Sequence, residues 1–193
     1  MWLEKFSKTE RNTRIDLSNH DIIAINVRTF WIPEADQVEI LDLSNNWLGY
    51  IDDYYVTTSK NACLLLLQDS IFDALTNLKE LYLQRNILEY LDKGVFKGLI
   101  NLKILNLEQN LLITLEKNLF DGLERLKELN LKNNRLKNLP GEIFDGLSHL
   151  NGLYLEPQDE NGLSYEQLYD FKMIVDQNKG TCGKFTSVEI FVL

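Results

Sequence analysis

Few residues in this sequence could do chemistry. The chain has two histidines, His20 and His149, and two cysteines, Cys63 and Cys182. With a carboxylate, a histidine could help to hold a zinc ion or form a catalytic relay. Two cysteines are too few for a disulfide scaffold or a cysteine-based zinc site. The sequence contains none of the motifs of phosphate-binding loops, dinucleotide sites or serine hydrolases. Any chemistry therefore depends on whether the fold brings the histidines together.

The composition excludes several classes of protein. Of 193 residues, 45% are hydrophobic and 25% are charged, which suffices for one domain with a full core. The net charge of −9 and the pI near 4.8 argue against a nucleic-acid partner, because phosphates select for Lys and Arg. Residues 1–14 lack the apolar core of a secretory signal, and the longest apolar run, Ala62 to Leu67, is too short to span a bilayer. The sequence thus predicts a soluble chain with no signal peptide and no membrane insertion.

A repeat of 24 residues organises the centre of the chain. Residues 78–101, 102–125 and 126–149 each match the form LxxLxLxxNxLxxLxxxxFxxLxx. The recurring polar and aromatic positions are Asn86, Asn110 and Asn134, and Phe96, Phe120 and Phe144. Agreement at this many positions in three consecutive segments indicates a repeat architecture.

Weaker copies of the repeat flank this centre. One begins near Ile15, with His20 at the asparagine offset, and another begins at Val38. The apolar spacing also continues after Leu150. Together with the central segments, these copies predict about seven coils over residues 12–171.

The offsets indicate how each coil folds. Apolar and polar residues alternate in the LxL stretch, which predicts a short parallel strand with its leucines inward. Strands of successive coils would stack about 4.8 Å apart over a continuous leucine core. The asparagine amide can bond to backbone groups of neighbouring coils, and the phenylalanine packs from the convex side. The predicted fold is an α/β solenoid, an arc with a parallel β-sheet on its concave face and an irregular or 3-10 convex side.

The consensus LxxLxLxxNxLxxLxxxxFxxLxx resembles the leucine-rich-repeat superfamily, in particular its 24-residue "typical" subclass with phenylalanine on the convex side. Toll-like receptor ectodomains, lamprey variable lymphocyte receptors and insect leucine-rich immune proteins belong to this subclass. The resemblance covers most of the chain. It implies a protein ligand on the concave face and a secreted or cell-surface protein of an immune lineage. Extracellular members usually carry cysteine-rich caps at both ends, and this sequence has neither.

Two parts of the chain depart from the regular repeat. Residues 1–11 match the end of a coil, so a partial coil is expected there. Residues 62–77 predict an unusually short coil, in which Leu65 and Leu67 take the strand offsets. About eight residues of a regular coil would be missing here, either as a local packing defect or as a trace of altered splicing.

The C-terminal residues 164–193 predict a capping helix followed by a tail. Ser164 and Gln167 fit a capping box, and residues 168–175 supply apolar side chains that could pack on the last coil. The final nine residues, FTSVEIFVL, have strand character.

The outward strand offsets predict three columns on the concave face. The central column is Asp16, Asp42, Leu66, Tyr82, Asn106, Asn130 and Tyr154. Beside it lie the columns Ser18, Ser44, Gln68, Gln84, Glu108, Lys132 and Glu156, and Arg14, Ile40, Leu64, Glu80, Ile104 and Glu128. Tyr82 and Tyr154 are the predicted anchors, because an exposed tyrosine offers a large rigid contact area with a polar tip. The predicted binding residues are Tyr82, Gln84, Asn106, Glu108, Asn130, Lys132 and Tyr154, and the alternative is that they are solvated strand residues.

The predicted solenoid keeps the reactive residues apart. His20 and His149 are separated by five coils and cannot share a metal ion or a relay. The strand stacking puts Cys63 and Cys182 about 20 Å apart, whereas the Cα atoms of a disulfide lie within about 7 Å. A leftover thiol of a secreted protein often pairs between chains, which allows a dimer through Cys182. The sequence predicts no catalytic site, no metal and no cofactor.

Three interpretations of function follow from these observations. The first is a protein-recognition module of secreted or cell-surface immune lineage that binds a protein ligand on its concave face. The second is an intracellular scaffold or regulatory adaptor, because the missing signal and caps fit an intracellular protein as well as a chain lacking an upstream segment. The third is a nonfunctional product of partial splicing, which the short coil favours. Localisation is extracellular by resemblance and otherwise open.

Overall fold

Seven short strands form one sheet in this computed structural model, which describes residues 13–26, 28–49, 67, 70–140, 142–155, 163–164, 166, 168 and 189–190. The strands lie in chain order across the sheet, and every neighbouring pair is parallel. They are β1 (Arg14–Asp16), β2 (Ile40–Asp42), β3 (Glu80–Tyr82), β4 (Ile104–Asn106), β5 (Glu128–Asn130), β6 (Gly152–Tyr154) and β7 (Glu189–Ile190). The predicted parallel sheet is confirmed.

The register of the sheet places the middle residue of each of the first six strands in the core. These residues pair in order across the sheet and are at most 3% exposed; they are Ile15, Leu41, Leu81, Leu105, Leu129 and Leu153. Their strand neighbours, apart from the buried Gly152, are half-buried or exposed on the concave face. The alternation of the LxL stretch therefore separates core from concave surface as predicted.

Stacked phenylalanines line the convex side. Ring centroids lie 5.8 Å apart for Phe30 and Phe72, 6.2 Å apart for Phe96 and Phe120, and 6.0 Å apart for Phe120 and Phe144. The described convex segments consist of turns and a single 3-10 helix, Ala35–Gln37. Each stacked pair contributes about 1 kcal/mol beyond the area that it buries. On the described convex side, these stacked pairs connect neighbouring coils.

Buried asparagines join successive coils. The Asn110 Nδ2 donates to the carbonyl oxygen of Leu83 at 3.0 Å and to that of Leu107 at 3.1 Å. Its Oδ1 accepts a hydrogen bond from the backbone N–H of Leu88 at 3.2 Å. Asn46, Asn86 and Asn134 make the corresponding bonds in their own coils. The predicted role of these amides, pairing backbone groups of neighbouring coils, is confirmed.

The main departure from the predicted fold lies between β2 and β3. Leu41 pairs directly with Leu81, and Asp42 with Tyr82, so no strand lies between them. The expectation that residues 62–77 contribute a strand is therefore wrong. The three residues predicted for this strand, Leu64, Leu66 and Gln68, lie outside the described residues.

Leu67 is the first residue described after Gly49, and it belongs to the core of the solenoid. It is buried and forms a parallel bridge with Leu91. Leu91 precedes Phe96 by the same spacing with which Leu67 precedes Phe72. Leu67 therefore occupies the offset before the convex phenylalanine, not a strand offset. Residues 38–77 correspond to a single coil that is longer than the regular repeat, so chain length is added here rather than missing.

The C-terminal part closes the far end of the sheet. Strand β7 pairs in parallel with β6, which confirms the predicted strand character for Glu189 and Ile190 of the last nine residues. Leu163 and Leu168 are buried, and the backbone N–H of Leu168 donates to the Ser164 carbonyl at 3.1 Å, as in one turn of helix. Within the described residues, no helix has the length and apolarity needed to cross a membrane. The predictions for residues 1–11, for Gln167 and for both cysteines concern positions outside the described residues.

Candidate functional site

The sheet brings the predicted binding residues together on the concave face. Tyr82, Asn106, Asn130 and Tyr154 face one another in register on β3 to β6. At about 4.8 Å per strand, this column extends over about 14 Å. A second column lies two residues further along each coil and consists of Gln84, Glu108 and Lys132. All seven side chains are half-buried.

Tyr82 is held in place by its neighbour on the same strand. Its hydroxyl donates to the Glu80 Oε2 at 2.8 Å. Burial, followed by this hydrogen bond and the negative charge of Glu80, raises the pKa of Tyr82 to about 12. The phenol is therefore neutral over the physiological range and acts as a fixed anchor. The ring is half-buried, so the expectation of an exposed Tyr82 is wrong.

The position of the Tyr154 ring depends on Gly152, which has no side chain. A Cβ built on Gly152 would lie 3.2 Å from both the ring edge and the hydroxyl of Tyr154. The ring therefore lies over the glycine backbone and is half-buried, which also corrects the expectation that it is exposed. Because the underlying position has no side chain, the aromatic ring lies close to the sheet at its C-terminal end.

The two asparagines between the tyrosines are oriented by short-range hydrogen bonds. The Asn106 Oδ1 accepts from the backbone N–H of Glu108 at 3.0 Å, and the Asn130 Oδ1 accepts from that of Lys132 at 3.1 Å. The Asn130 Nδ2 donates to the Glu108 Oε2 at 3.1 Å. These bonds link the two columns and restrict the side-chain rotamers before any partner arrives.

Gln84 carries an unpaired acceptor in this surface. Its Oε1 is buried and has no hydrogen-bond partner among the described residues. A buried acceptor without a partner is unusual, because desolvating it costs about 1–3 kcal/mol. The repeat offset predicts Gln84 as a binding residue. The missing hydrogen-bond partner of its Oε1 could not be predicted from the sequence.

An ion pair spans the N-terminal end of the concave face. The Arg14 Nη2 lies 3.0 Å from the Asp42 Oδ2 on the next strand and 3.4 Å from the Asp16 Oδ2. Hydrogen bonds from the hydroxyl and the backbone N–H of Ser18 lower the pKa of Asp16. Slight burial of the carboxylate raises this pKa, and the positive charge of Arg14 lowers it further. The columns predicted these residues, but the pairing was missed because it depends on the sheet register.

The histidines lie apart, as predicted. His20 is exposed with its Nδ1 2.5 Å from the Ser18 carbonyl oxygen, and His149 is exposed with its Nδ1 2.7 Å from the Glu124 carbonyl oxygen. In the part of the chain that the structure describes, no group of three His, Cys, Asp or Glu side chains could hold a metal ion.

A parallel-sheet solenoid joined by buried asparagines and stacked phenylalanines defines a class of repeat protein built from leucine-rich coils. The family model described as "Leucine rich repeat" matches residues 55–112 and 76–136, and a second model of that description matches residues 125–150. The chain belongs to the leucine-rich-repeat superfamily. Proteins of this family are typically interaction modules without enzymatic activity. No curated protein sequence matches the chain significantly.

One similar solved structure is a chain from the complex of Toll with Spatzle, described as a molecular hub in Drosophila development and innate immunity. The match covers 72% of this chain, with a TM-score of 0.58 and 23% sequence identity. It covers 16% of that chain, so the present chain spans only a small part of its length. At this identity the likeness shows the fold alone.

Proposed function

We propose that this protein is a recognition module that binds a protein ligand on its concave face. The contact surface is centred on Tyr82, Asn106, Asn130 and Tyr154, with Gln84, Glu108 and Lys132 beside them. The proposal assigns no catalytic role to these residues.

The observation that carries this proposal is the pair of anchored tyrosines at the two ends of an ordered amide row. Tyr82 is tied to Glu80, Tyr154 lies over Gly152, and Asn130 is tied to Glu108. Aromatic side chains that keep a polar tip and lose little rotamer freedom are enriched among the residues that dominate binding energy. A partner would therefore bind this surface at a small cost in side-chain entropy.

We further propose a secreted or cell-surface immune lineage. The support is the fold shared with the Toll chain of the Toll–Spatzle complex and the repeat pattern. The rival interpretation, an intracellular scaffold or adaptor, is distinguished by fractionating the native cells and locating the protein with an antibody. Recovery from the medium or the outer cell surface agrees with the proposal, whereas recovery from the cytosol contradicts it.

Paired variants test the binding surface. Tyr82→Ala with Tyr154→Ala removes both concave anchors, and Trp31→Ala with Ile100→Ala removes two exposed side chains outside the concave columns as the matched control. The immobilised wild-type protein and both variants are presented to an array of extracellular proteins, and the affinity of each retained protein is measured by biolayer interferometry. A partner should lose about 30-fold or more in affinity with the tyrosine variant and keep its affinity with the control.

The melting temperature of each variant shows whether it is folded. If a partner keeps its affinity for the folded tyrosine variant and loses it with the Trp31 and Ile100 variant, the proposed concave site is wrong.

A further inference from the structure

A groove opens on the flank of the first three coils, where the chain turns away from β1, β2 and β3. It lies beyond the C-terminal ends of these strands and outside the columns of the proposed protein site. The residues that line it are Asn19, Asp21, Asn45, Asn46, Trp47, Arg85 and Ile87.

Trp47 is the aromatic side of this groove. Its side chain is half exposed, at 51%, whereas the equivalent positions of the next two coils hold the smaller Ile87 and Leu111. The indole Nε1 donates to the Asp21 Oδ1 at 3.1 Å, and the backbone N–H of Trp47 donates to the Ile22 carbonyl at 2.9 Å. The ring is thus held by its polar edge while much of its apolar surface stays in contact with water. A large exposed tryptophan fixed in this way is an unused contact surface.

The polar groups of the groove are mixed and balanced in charge. Asp21 and Arg85 both line the groove and bring one negative and one positive charge to it, and Asn19 and Asn45 add amides that both donate and accept. Arg85 uses its Nε to donate to the Gln109 Oε1 at 2.7 Å, which holds the guanidinium in place and leaves its terminal nitrogens as donors. Asn46 is already committed to backbone groups and serves as part of the floor.

We propose that this groove binds a neutral saccharide. One face of a hexose presents C–H groups that pack on an aromatic ring, while its hydroxyls both donate and accept hydrogen bonds. Trp47 supplies the ring, Asp21 supplies an acceptor, and Arg85 supplies donors. A cationic ligand would meet Arg85, and an anionic one would meet Asp21 and the net charge of −9. The balanced set of groups favours a ligand that is polar and uncharged. This site is independent of the concave protein site.

The experiment uses the full chain and an array of neutral, sulfated and sialylated oligosaccharides. The tightest neutral oligosaccharide is then titrated into wild-type, Trp47→Ala and Trp31→Ala proteins by calorimetry. Trp31 is the matched control because it is 69% exposed and follows the convex Phe30, away from the groove. Trp47→Ala should weaken binding about 30-fold, Trp47→Phe less, and Trp31→Ala not at all.

Arg85→Ala provides a second variant that removes polar contacts without removing the ring, and it should also weaken binding. The proposal is overturned if no neutral oligosaccharide binds, if only sulfated or sialylated ones bind, or if affinity is unchanged in both Trp47→Ala and Arg85→Ala. Equal losses of oligosaccharide affinity in Trp47→Ala and Trp31→Ala would also overturn the proposal, because the sugar would then not bind at this groove. Loss of concave protein binding in the Tyr82 and Tyr154 variant, with sugar binding kept, would separate the two sites.

Discussion

Leu41 and Leu81 face each other on neighbouring strands, although the chain between them is much longer than in a regular coil. The next three strand-to-strand steps of the sheet take 24 residues each. The additional length corresponds to residues 51–66, since removing them would join Tyr50 to Leu67. The resulting Leu48-Gly49-Tyr50-Leu67 would match the regular Leu88-Glu89-Tyr90-Leu91. The long coil is therefore a regular coil with an added segment.

Deleting residues 51–66 should give a folded protein with the same sheet. The deletion variant should gain about 0.5 kcal/mol in free energy of unfolding, because a shorter loop loses less chain entropy when its ends are joined. Urea denaturation followed by circular dichroism measures the change. A variant with residues 51–66 replaced by a Gly/Ser segment of equal length is the control and should fold as the wild type does. An unfolded deletion variant would show that these residues form part of the core.

Gly49 should tolerate no side chain. Its φ is +96°, and a Cβ there would lie 2.7 Å from the Ile87 carbonyl oxygen of the next coil. Gly122 has a similar φ of +85° with nothing within 4 Å, so Gly122→Ala isolates the cost of the backbone conformation. We expect about 1–2 kcal/mol for Gly122→Ala and about 3 kcal/mol or more for Gly49→Ala, because the second also meets a backbone atom. Equal losses in thermal denaturation would mean that the coils do not approach closely at Gly49.

Asn110→Ala should destabilise the protein by about 3 kcal/mol or more. The change leaves the carbonyl groups of Leu83 and Leu107 and the N–H of Leu88 without their side-chain partner in a buried region. Asn138→Ala, at an exposed position, is the control and should change stability by less than about 0.5 kcal/mol. Chemical denaturation measures both. A loss under about 1 kcal/mol for Asn110→Ala would contradict the proposed coupling of coils through this amide.

Tyr82 should make the stability of the wild type fall at high pH. The pKa of its phenol is raised from 10.0 to about 12 in the folded chain, so folding favours the neutral form. This contribution is fully present below pH 10 and is lost as the pH rises through about 12. Tyr82→Phe cannot ionise, so the free energy of unfolding of the wild type should fall more steeply than that of this variant between these pH values. Tyr90→Phe, at an exposed ring, should follow the wild type, and parallel curves for all three proteins would refute the raised pKa.

Much of the fold and of the candidate surface follows from the sequence. The leucine spacing determines which residues of each coil are buried, since an alternating strand has only two faces. The recurring Asn110 offset likewise identified an amide that joins coils, because a buried amide in a repeat needs backbone partners. The columns that contain Tyr82 and Tyr154 could be predicted for the same reason.

The tertiary structure decided which strands are neighbours and how the surface side chains lie. Residues 64–67 are four consecutive leucines, which satisfy apolar offsets in more than one register. Only the contact of Leu67 with Leu91, and of Leu41 with Leu81, resolves this ambiguity. The burial of the Tyr154 ring over a glycine, and the bond between Trp47 and Asp21 of another coil, also depend on where neighbouring atoms lie in space. A periodic sequence specifies the inward face of each coil, but it does not specify the length of chain between coils or the contacts made on the outward face.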